Sequence, residues 1–547
     1  MSQFDAFRRS FLRTGAAGLA AASFPAASLA AAASSPHATA EALGRQGIFD
    51  IRRFGATGDG KTLDTRAIQA AIDAAAQAGG GVVIFPAGSY LSFSIRLKSF
   101  VHLHLMQGAT LIAADSPAPG QSTGYNGGVY DAAEPNTAWN AFQDYGHNHW
   151  HNSLIWAEDI HDFSITGTGL LWGRGLSNGR GRKGDGPPFL AEQAGVGNKT
   201  IALKNCRNLL LRDFSILKGG HFGILLTGVD NVTIDNLKID TDRDGMDIDC
   251  CQNVRVTNCT VNSPWDDGIC PKSSYALGYA RPTRNLTISN CFVTGCYQLG
   301  SVLDGSFRKY TPEDHIPHTG RIKCGTESNG GFQNITIANC VFEGCQGYAL
   351  ESVDGALLED VTITNTTMRD LVTGPIFMRL GSRLRGPAGK TQVGTLRRIL
   401  ISNLVCYNAP ARFASILTGI PNSSIEDVKL SDIYVESAGG VASAVPDLPE
   451  DENQYPDPNR FGETPSYGFY LRHMRHLEMS HVEVALRQPD VRPAFSLVEV
   501  DRADFFAITA ARNNGNAFSL NNVTDLRIGW SRATDDITLA NVATRNL

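Results

Sequence analysis

Charge is scarce in this 547-residue chain: 19% of its residues are Asp, Glu, Lys or Arg, against 42% hydrophobic ones. That balance excludes a disordered chain and leaves apolar matter for one or two packed domains. A basic excess is missing as well, since 48 Lys and Arg face 54 Asp and Glu for a net charge of -6. A dedicated nucleic-acid binder is thereby excluded, because phosphate contacts need clustered Lys and Arg. Beyond the first 33 residues no apolar run is long enough to span a bilayer. The 11 cysteines are an odd number, so they cannot pair completely within one chain. Glycine is what the chain has in plenty, 56 residues, which signals many turns.

Phe7-Arg8-Arg9-Ser10-Phe11-Leu12-Arg13 precedes a small, apolar and uncharged stretch from Gly15 to Ala33. Paired arginines before a mild apolar segment and an Ala-rich cleavage region resemble a twin-arginine export signal, covering residues 1–33 with the cut among Ala30 to Ala33. The run is mostly Ala and Gly, too weakly apolar for a membrane anchor. The expectation is a periplasmic or secreted protein with no membrane attachment once the signal is cut. Residues 34–47 read as a linker and 48–547 as the folded catalytic domain. Twin-arginine export carries folded cargo, so disulfides need not be the reason for the cysteines.

One short phrase recurs: Asn208-Leu-Leu-Leu-Arg-Asp-Phe-Ser-Ile216, Asn231-Val-Thr-Ile-Asp-Asn-Leu-Lys-Ile239, Asn253-Val-Arg-Val-Thr-Asn-Cys-Thr-Val261 and Asn285-Leu-Thr-Ile-Ser-Asn-Cys-Phe-Val293. It continues at Asn334, Asp360, Ile399 and Asp427, and more faintly at Leu477 and Leu526. Each copy holds a period-two apolar strand, a polar corner and a second short strand. The closest copies start 22 to 26 residues apart, which is the size of one coil of short strands with no helix between them. The fold expected is all-β, a right-handed parallel β-helix. A leucine-rich repeat shares the period, but its Leu-x-x-Leu-x-Leu spacing is absent.

Stacking explains two side-chain series. Asn236, Asn258, Asn290, Asn339, Asn365 and Asn403 follow an aliphatic strand position, where a tight corner lets an amide bond along the stack. Cys259, Cys291 and Cys340 come next and are expected inside as buried thiols. Open ends of such a stack invite association through their strand edges. The segment from Asp64 to Ala78 has Ile68, Ala71, Ile72 and Ala75 at helical spacing and stops at Gly79-Gly80-Gly81, so it reads as an N-terminal capping helix. Polar, Gly- and Pro-rich insertions near 116–150, 173–197, 298–320 and 440–465 are expected to wall a groove.

Two motif matches do not hold. Gly55-Ala-Thr-Gly-Asp-Gly60-Lys61-Thr62 fits the phosphate-loop pattern, but an unbroken strand repeat follows instead of alternating strands and helices, so it reads as a glycine turn entering the capping helix. Asp240-Thr-Asp242-Arg-Asp244-Gly245 opens like an EF-hand loop, yet its twelfth position is Cys251 and no helices flank it. His147, His149 and His151 alternate around Trp150 in an insertion and suit sugar stacking or packing better than zinc. No metal and no cofactor are expected.

Acidic residues concentrate at Asp240, Asp242, Asp244, Asp247 and Asp249, then at Asp266 and Asp267. Asp244 and Asp266 are 22 residues apart, one coil, and are expected on neighbouring rungs about 5 Å apart. Gathered carboxylates repel one another, which raises at least one pKa and places an acid beside a base. Glycoside hydrolysis needs that pairing. A solvated acidic turn ladder or a cation site would give the same residue pattern.

Arg243-Asp244-Gly245-Met-Asp247-Ile-Asp249, followed by Trp265-Asp266-Asp267-Gly-Ile-Cys-Pro-Lys272-Ser, resembles the Asn-Thr-Asp-Gly and Asp-Asp signatures of glycoside hydrolase family 28, the polygalacturonases and their relatives. The resemblance extends to Phe54-Gly55-Ala56, Gly79-Gly80-Gly81 and His151-Asn-Ser-Leu-Ile-Trp156. It implies a right-handed β-helix and inverting hydrolysis, with Asp266 as general acid and Asp244 and Asp267 positioning and deprotonating the water. The departures are specific. The family's Asn-Thr is Asp242-Arg243 here, and its Gly-His-Gly has an approximate counterpart in Pro317-His318-Thr-Gly320. The family's carboxylate-holding Arg-Ile-Lys falls by coil position on Ala349-Leu350-Glu351, while Arg321-Ile322-Lys323 lies on the preceding coil, before Gly325-Thr-Glu327. The hydrolytic acids are thus retained and the sugar-recognition shell is rebuilt, with Arg243, Lys272, His318, Arg321, Lys323, Glu327 and Glu351 as its candidates.

The function expected is cleavage of pectic or related galacturonate- or rhamnogalacturonan-type glycosidic bonds, with exo action suggested by the insertions. The partner is a polysaccharide or oligosaccharide, not nucleic acid, and the protein is expected to be a monomer. The alternatives are a calcium-dependent polysaccharide lyase on the same fold and a non-catalytic glycan-binding β-helix.

Overall fold

The computed structural model describes residues 47–179, 189–513 and 515–547; the signal and most of the linker read from the sequence lie outside them. From Ile48 onward, parallel strands stack coil upon coil as a right-handed β-helix. The repeated phrases are its register. Leu209, Val232, Val254, Leu286, Ile335, Val361, Ile399, Val428, Leu477, Ala503 and Leu526 occupy one stacked column, each paired with the next. Even the faint copies at Leu477 and Leu526 therefore lie in the same column.

The inward member of each alternating pair is buried along the stack, and this forms one continuous apolar core. At the corners, Asn290, Asn339, Asn365 and Asn403 each donate an amide N–H to the equivalent Asn one coil earlier, at 3.0–3.3 Å. A second ladder runs through the first Asn of each phrase: Asn231, Asn253, Asn285 and Asn334 bond in the same way at 2.9–3.3 Å. Both series sit at positive φ, between 52° and 59°, which Asn tolerates better than other non-glycine residues. All 11 cysteines are buried free thiols, as expected of the stacked series.

The cap is the helix Thr65–Gln77, which buries Ala67, Ile68, Ala71, Ile72 and Ala75 over the first coils. The glycine turn does not lead straight into it. A short strand, Asp59–Leu63, intervenes and pairs with Gly88–Ser92. The Asp64 carboxylate accepts the Thr57 and Gly58 N–H groups at 2.7 and 3.1 Å, occupying donors that a phosphate would need. At the other end Ile537–Asn546 closes the stack by antiparallel pairing with Phe518–Gly529.

One face of the stack is the floor of the site. It comprises β1 (Ile95–Arg96), β2 (Ser153–Glu158), β3 (Lys199–Lys204), β4 (Phe222–Thr227), β5 (Asp244–Asp249) and β6 (Ile269–Lys272). Bridges from Ile269 to Ile322 and from Ser273 to Ser328 extend the floor to the next coil. Asp240 is no calcium ligand. Its carboxylate accepts the Gly300 and Val302 N–H groups and the Asn262 amide, anchoring the 298–320 insertion.

Candidate active site

Outward positions of the floor change residue at every coil. One row reads Lys199, Phe222, Asp244; a second reads Trp156, Ala202, Leu225, Asp247, Cys270; a third reads Glu158, Lys204, Thr227, Asp249, Lys272. The pairing of Met246 with Ile269 carries Asp244 onto Asp267 and Arg243 onto Asp266. This corrects the expected pairing of Asp244 with Asp266, because the step here is one residue longer than the 22 read from the sequence. His221, Arg243 and Asp266 then share one coil position, just before their strands.

Asp244, Asp266 and Asp267 still converge, with carboxylate oxygens within 4.8 Å of one another. The Asp267 N–H donates to Asp244 Oδ1 at 3.0 Å and to Asp266 Oδ1 at 3.1 Å. Arg243 donates through Nε and Nη2 to Asp266 Oδ2 at 3.2 and 3.0 Å, and its Nη1 lies 3.0 Å from His221 Nε2. Asp267 is held by Arg321 Nε at 2.8 Å and Lys323 Nζ at 3.1 Å. Lys272 lies 3.3 Å from Glu327 and 3.9 Å from both Asp244 and Asp247.

These contacts separate the carboxyls electrostatically. Burial, together with the charges of Asp247 and Asp266, pushes Asp244 well above the usual carboxylate range. Burial would raise Asp266 too, but Arg243 and Lys323 overcome it and hold that carboxyl well below its ordinary value, helped by a hydrogen bond from Asp244. Asp267 is likewise lowered against burial, by Lys323 and Arg321. Of the two, Asp244 is therefore the carboxyl whose surroundings favour the protonated form and Asp266 the one whose surroundings favour the ionised form. That differs from a proton resident on Asp266, and the cause is Arg243, a residue at which this chain departs from the polygalacturonase signature. Asp266 is the accessible member, with 27% of its side chain exposed against 4% for Asp244 and 2% for Asp267.

Seven of the candidate side chains that were to form the recognition shell can be located, and six of them surround the acids. Arg243, Lys272, Arg321, Lys323 and Glu327 make the ion pairs above. Glu351 is fully buried 3.9 Å from Lys323, its pKa is raised by burial, and its oxygens accept no hydrogen bond among the described residues. His318 is the exception. It adopts a left-handed conformation, φ 54°, and its Nδ1 lies 2.8 Å from the Gly295 carbonyl, because the insertion that carries it turns there. The arginine and lysine of the tripeptide, expected to meet substrate, are engaged instead as counter-ions of Asp267.

Several participants come from insertions. His147 lies 3.4 Å from Asp247 and 3.9 Å from Glu327, while His149 bonds Asn136 and His151 bonds Glu158, so the three histidines do not converge. Tyr455 accepts a hydrogen bond from Lys323 Nζ at 3.2 Å and places its ring over that ammonium. Arg385 pairs with Glu327 at 2.9 Å, and Arg383 pairs with Asp354. Trp265 and Tyr310 meet edge to face at 5.6 Å beside Asp266 in the chain. Two acidic groupings have metal-like spacing, and both already have hydrogen-bond or ion-pair partners in the protein. Arg243, Arg321 and Lys323 surround the Asp trio; in Glu134, His151 and Glu158, Lys204 lies 2.7 Å from Glu158 and Glu134 accepts the Trp150 N–H.

Insertions close the floor on both sides of the acids. Trp150 packs with Ala202, Phe222, Leu225 and Ala276 on one side. On the other, Leu448 and Phe461 pack on Ala349, Phe377, Ile416 and Tyr470.

A family model described as "Right handed beta helix region" matches residues 199–383, and one described as "Rhamnogalacturonase A/epimerase, pectate lyase-like" matches residues 48–180. The chain is 25% identical over 310 residues to a probable polygalacturonase of Vitis vinifera, covering 52% of this chain and 58% of that protein. It is 25% identical over 342 residues to an exo-poly-alpha-D-galacturonosidase of Dickeya chrysanthemi, covering 53% and 54%. The chain thus spans little more than half the length of these curated relatives. Among solved structures, an exopolygalacturonase of Thermotoga maritima superposes with a TM-score of 0.59 at 18% identity, covering 82% of this chain and 96% of that one, a likeness of fold. The resemblance to polygalacturonases read from the Asp motifs is borne out.

Proposed function

From a chain that resembles polygalacturonases on a β-helix scaffold, we propose a glycoside hydrolase that cleaves pectic polysaccharides from chain ends. The observation that carries this reading is the carboxyl trio: Asp244, Asp266 and Asp267 with oxygens within 4.8 Å of one another, Asp244 shifted up by burial and its acidic neighbours, and Asp267 paired with Arg321 and Lys323. That is an acid next to a base, which glycosidic cleavage requires. Asp266, the exposed member, passes to the leaving oxygen a proton supplied by Asp244, and Asp267 orients the water and accepts its proton. The trio is more compact than the roughly 6.5–9.5 Å gap of two-carboxylate inverting sites. Inversion here therefore requires the water to be seated beside Asp267, not in a wide gap. Chain-end attack is supported by the two insertions that close the floor.

The lyase alternative needs a calcium ion among these carboxylates. Arg243, Arg321 and Lys323 already supply positive charge at those oxygens, which favours hydrolysis. A mere glycan-binding role would leave the proton-sharing pair without a use, although a scaffold of this kind hosts several functions. The twin-arginine motif Arg8-Arg9 supports an exported enzyme, and free buried thiols suit folding before export. The test is product analysis on pectic oligosaccharides: new reducing ends without unsaturated products, and loss of about 10²–10⁴ in kcat for Asp266→Asn at unchanged thermal stability.

A further inference from the structure

We infer that His221 is a positioning residue of the reaction: its Nε2 takes a hydrogen bond from Arg243 and so aims that guanidinium at Asp266, the proton-delivering carboxyl; this rests on the hydrolase reading above. Arg243 Nη1 lies 3.0 Å from His221 Nε2, while Nε and Nη2 of the same guanidinium hold Asp266 Oδ2 at 3.2 and 3.0 Å. An arginine only donates, so Nε2 is the acceptor and the ring proton lies on Nδ1. A second proton on the ring is opposed first by burial and then by Arg243, Lys199, His147 and Lys272 around it. At 4% exposure His221 acts through Arg243 and not on the sugar.

Three observations separate this role from packing. His221 Nδ1 is buried with no hydrogen-bond partner among the described residues, a desolvation cost that an apolar ring such as the adjacent Phe222 would not carry. A side chain kept at that cost is kept for its other nitrogen. The ring is also held in place: it packs on Phe222 with centroids 4.4 Å apart, and two insertions close against it at glycines. A side-chain carbon on Gly179 would lie 2.3 Å from His221 Nδ1, and one on Gly146 would lie 3.0 Å from it. The third observation is register. Arg243 and Asp266 stand one and two coils beyond His221 in the same column, so the stack itself aligns acceptor, guanidinium and carboxylate. Arg243 Nη1 also reaches the Asn178 carbonyl, but at 3.4 Å, a longer and weaker contact.

The experiment follows turnover of pectic oligosaccharides against pH by the purified full chain and by His221→Phe, His221→Gln, Arg243→Gln and the double variant His221→Phe with Arg243→Gln, with thermal melting to check folding. His221→Phe is expected to lose about tenfold in kcat with KM changed less than about twofold. Its alkaline limb moves to higher pH, because Arg243 slackens while the other charged groups facing Asp266, namely Asp244, Asp267, Lys272 and Lys323, stay in place. His221→Gln, whose amide oxygen can take the place of Nε2, is expected to keep kcat and limb near those of the wild type. In the Arg243→Gln background, adding His221→Phe is expected to change kcat by less than about twofold, since the residue it acts through is gone. A further tenfold loss in that background, or a His221→Gln no better than His221→Phe, overturns the proposal while leaving the hydrolase standing. Should His221→Phe not fold, a folded His221→Gln decides: near wild-type kcat supports the proposal, and a tenfold loss overturns it. A wild type that turns over no oligosaccharide overturns the hydrolase reading and the proposal together.

Discussion

The back corners and the floor of this β-helix are built from the same coils by opposite rules. At the corners each coil repeats its neighbour, Asn290 on Asn258, Asn339 on Asn290, Asn365 on Asn339, so these rungs make one bond of one kind, and Asn236 and Asn258 donate instead to Asp213 and Asp235. On the floor, successive coils carry Lys199, Phe222, Asp244 and then Asp267, and their partners differ at every coil: Lys199 bonds the adjacent Asn198, Phe222 packs with Trp150, and Asp267 pairs with Arg321. Repetition spreads stability over many small equal terms. Departure from repetition concentrates charge, and with it both chemistry and risk.

Breaking the floor should therefore cost more per residue than breaking a corner. Lys323→Met removes one counter-ion of a buried carboxylate and is expected to lower stability by about 3 kcal/mol, measured by denaturant unfolding. A loss below 1 kcal/mol would mean that Arg321 alone compensates Asp267. Asn290→Ala removes two ladder bonds, to Asn258 and from Asn339, and leaves a non-glycine residue at φ 56°, for an expected loss of about 1–2 kcal/mol. Equal losses at the two sites would erase the contrast.

The smallest expected change is one of pH. Arg243 holds Asp266 below the ordinary carboxylate range. In Arg243→Gln that carboxyl rises toward its ordinary value and, as the group that delivers the proton, stays protonated to higher pH, so the alkaline limb of the rate profile moves to higher pH. A limb that stays in place would detach Arg243 from the control of the pair.

The same contrast explains what the sequence made legible. The stack could be read from Asn208 to Leu526 because every coil repeats one pattern, and the Asn series at the second corner was legible for the same reason. The matching ladder through Asn231, Asn253, Asn285 and Asn334 stood in the quoted phrases, but without a corner in view it carried no sign of its bonds. Asp244, Asp266 and Asp267 emerged from their density, yet their register did not, because one extra residue in the step moves every partner by one. His221 could have been found by extending the column of Arg243 and Asp266 one coil back. Tyr455 and Arg385 could not, since they lie on segments outside the floor strands, where coil spacing dictates nothing; His318 failed for the same reason, its insertion turning it to Gly295.

The most direct measurement is turnover of pectic oligosaccharides by the wild type and Asp266→Asn, with the product anomer followed by NMR. The account expects new reducing ends of inverted configuration from the wild type, and a folded variant slower by about 10²–10⁴. Unsaturated products, or a folded Asp266→Asn that turns over like the wild type, would contradict it.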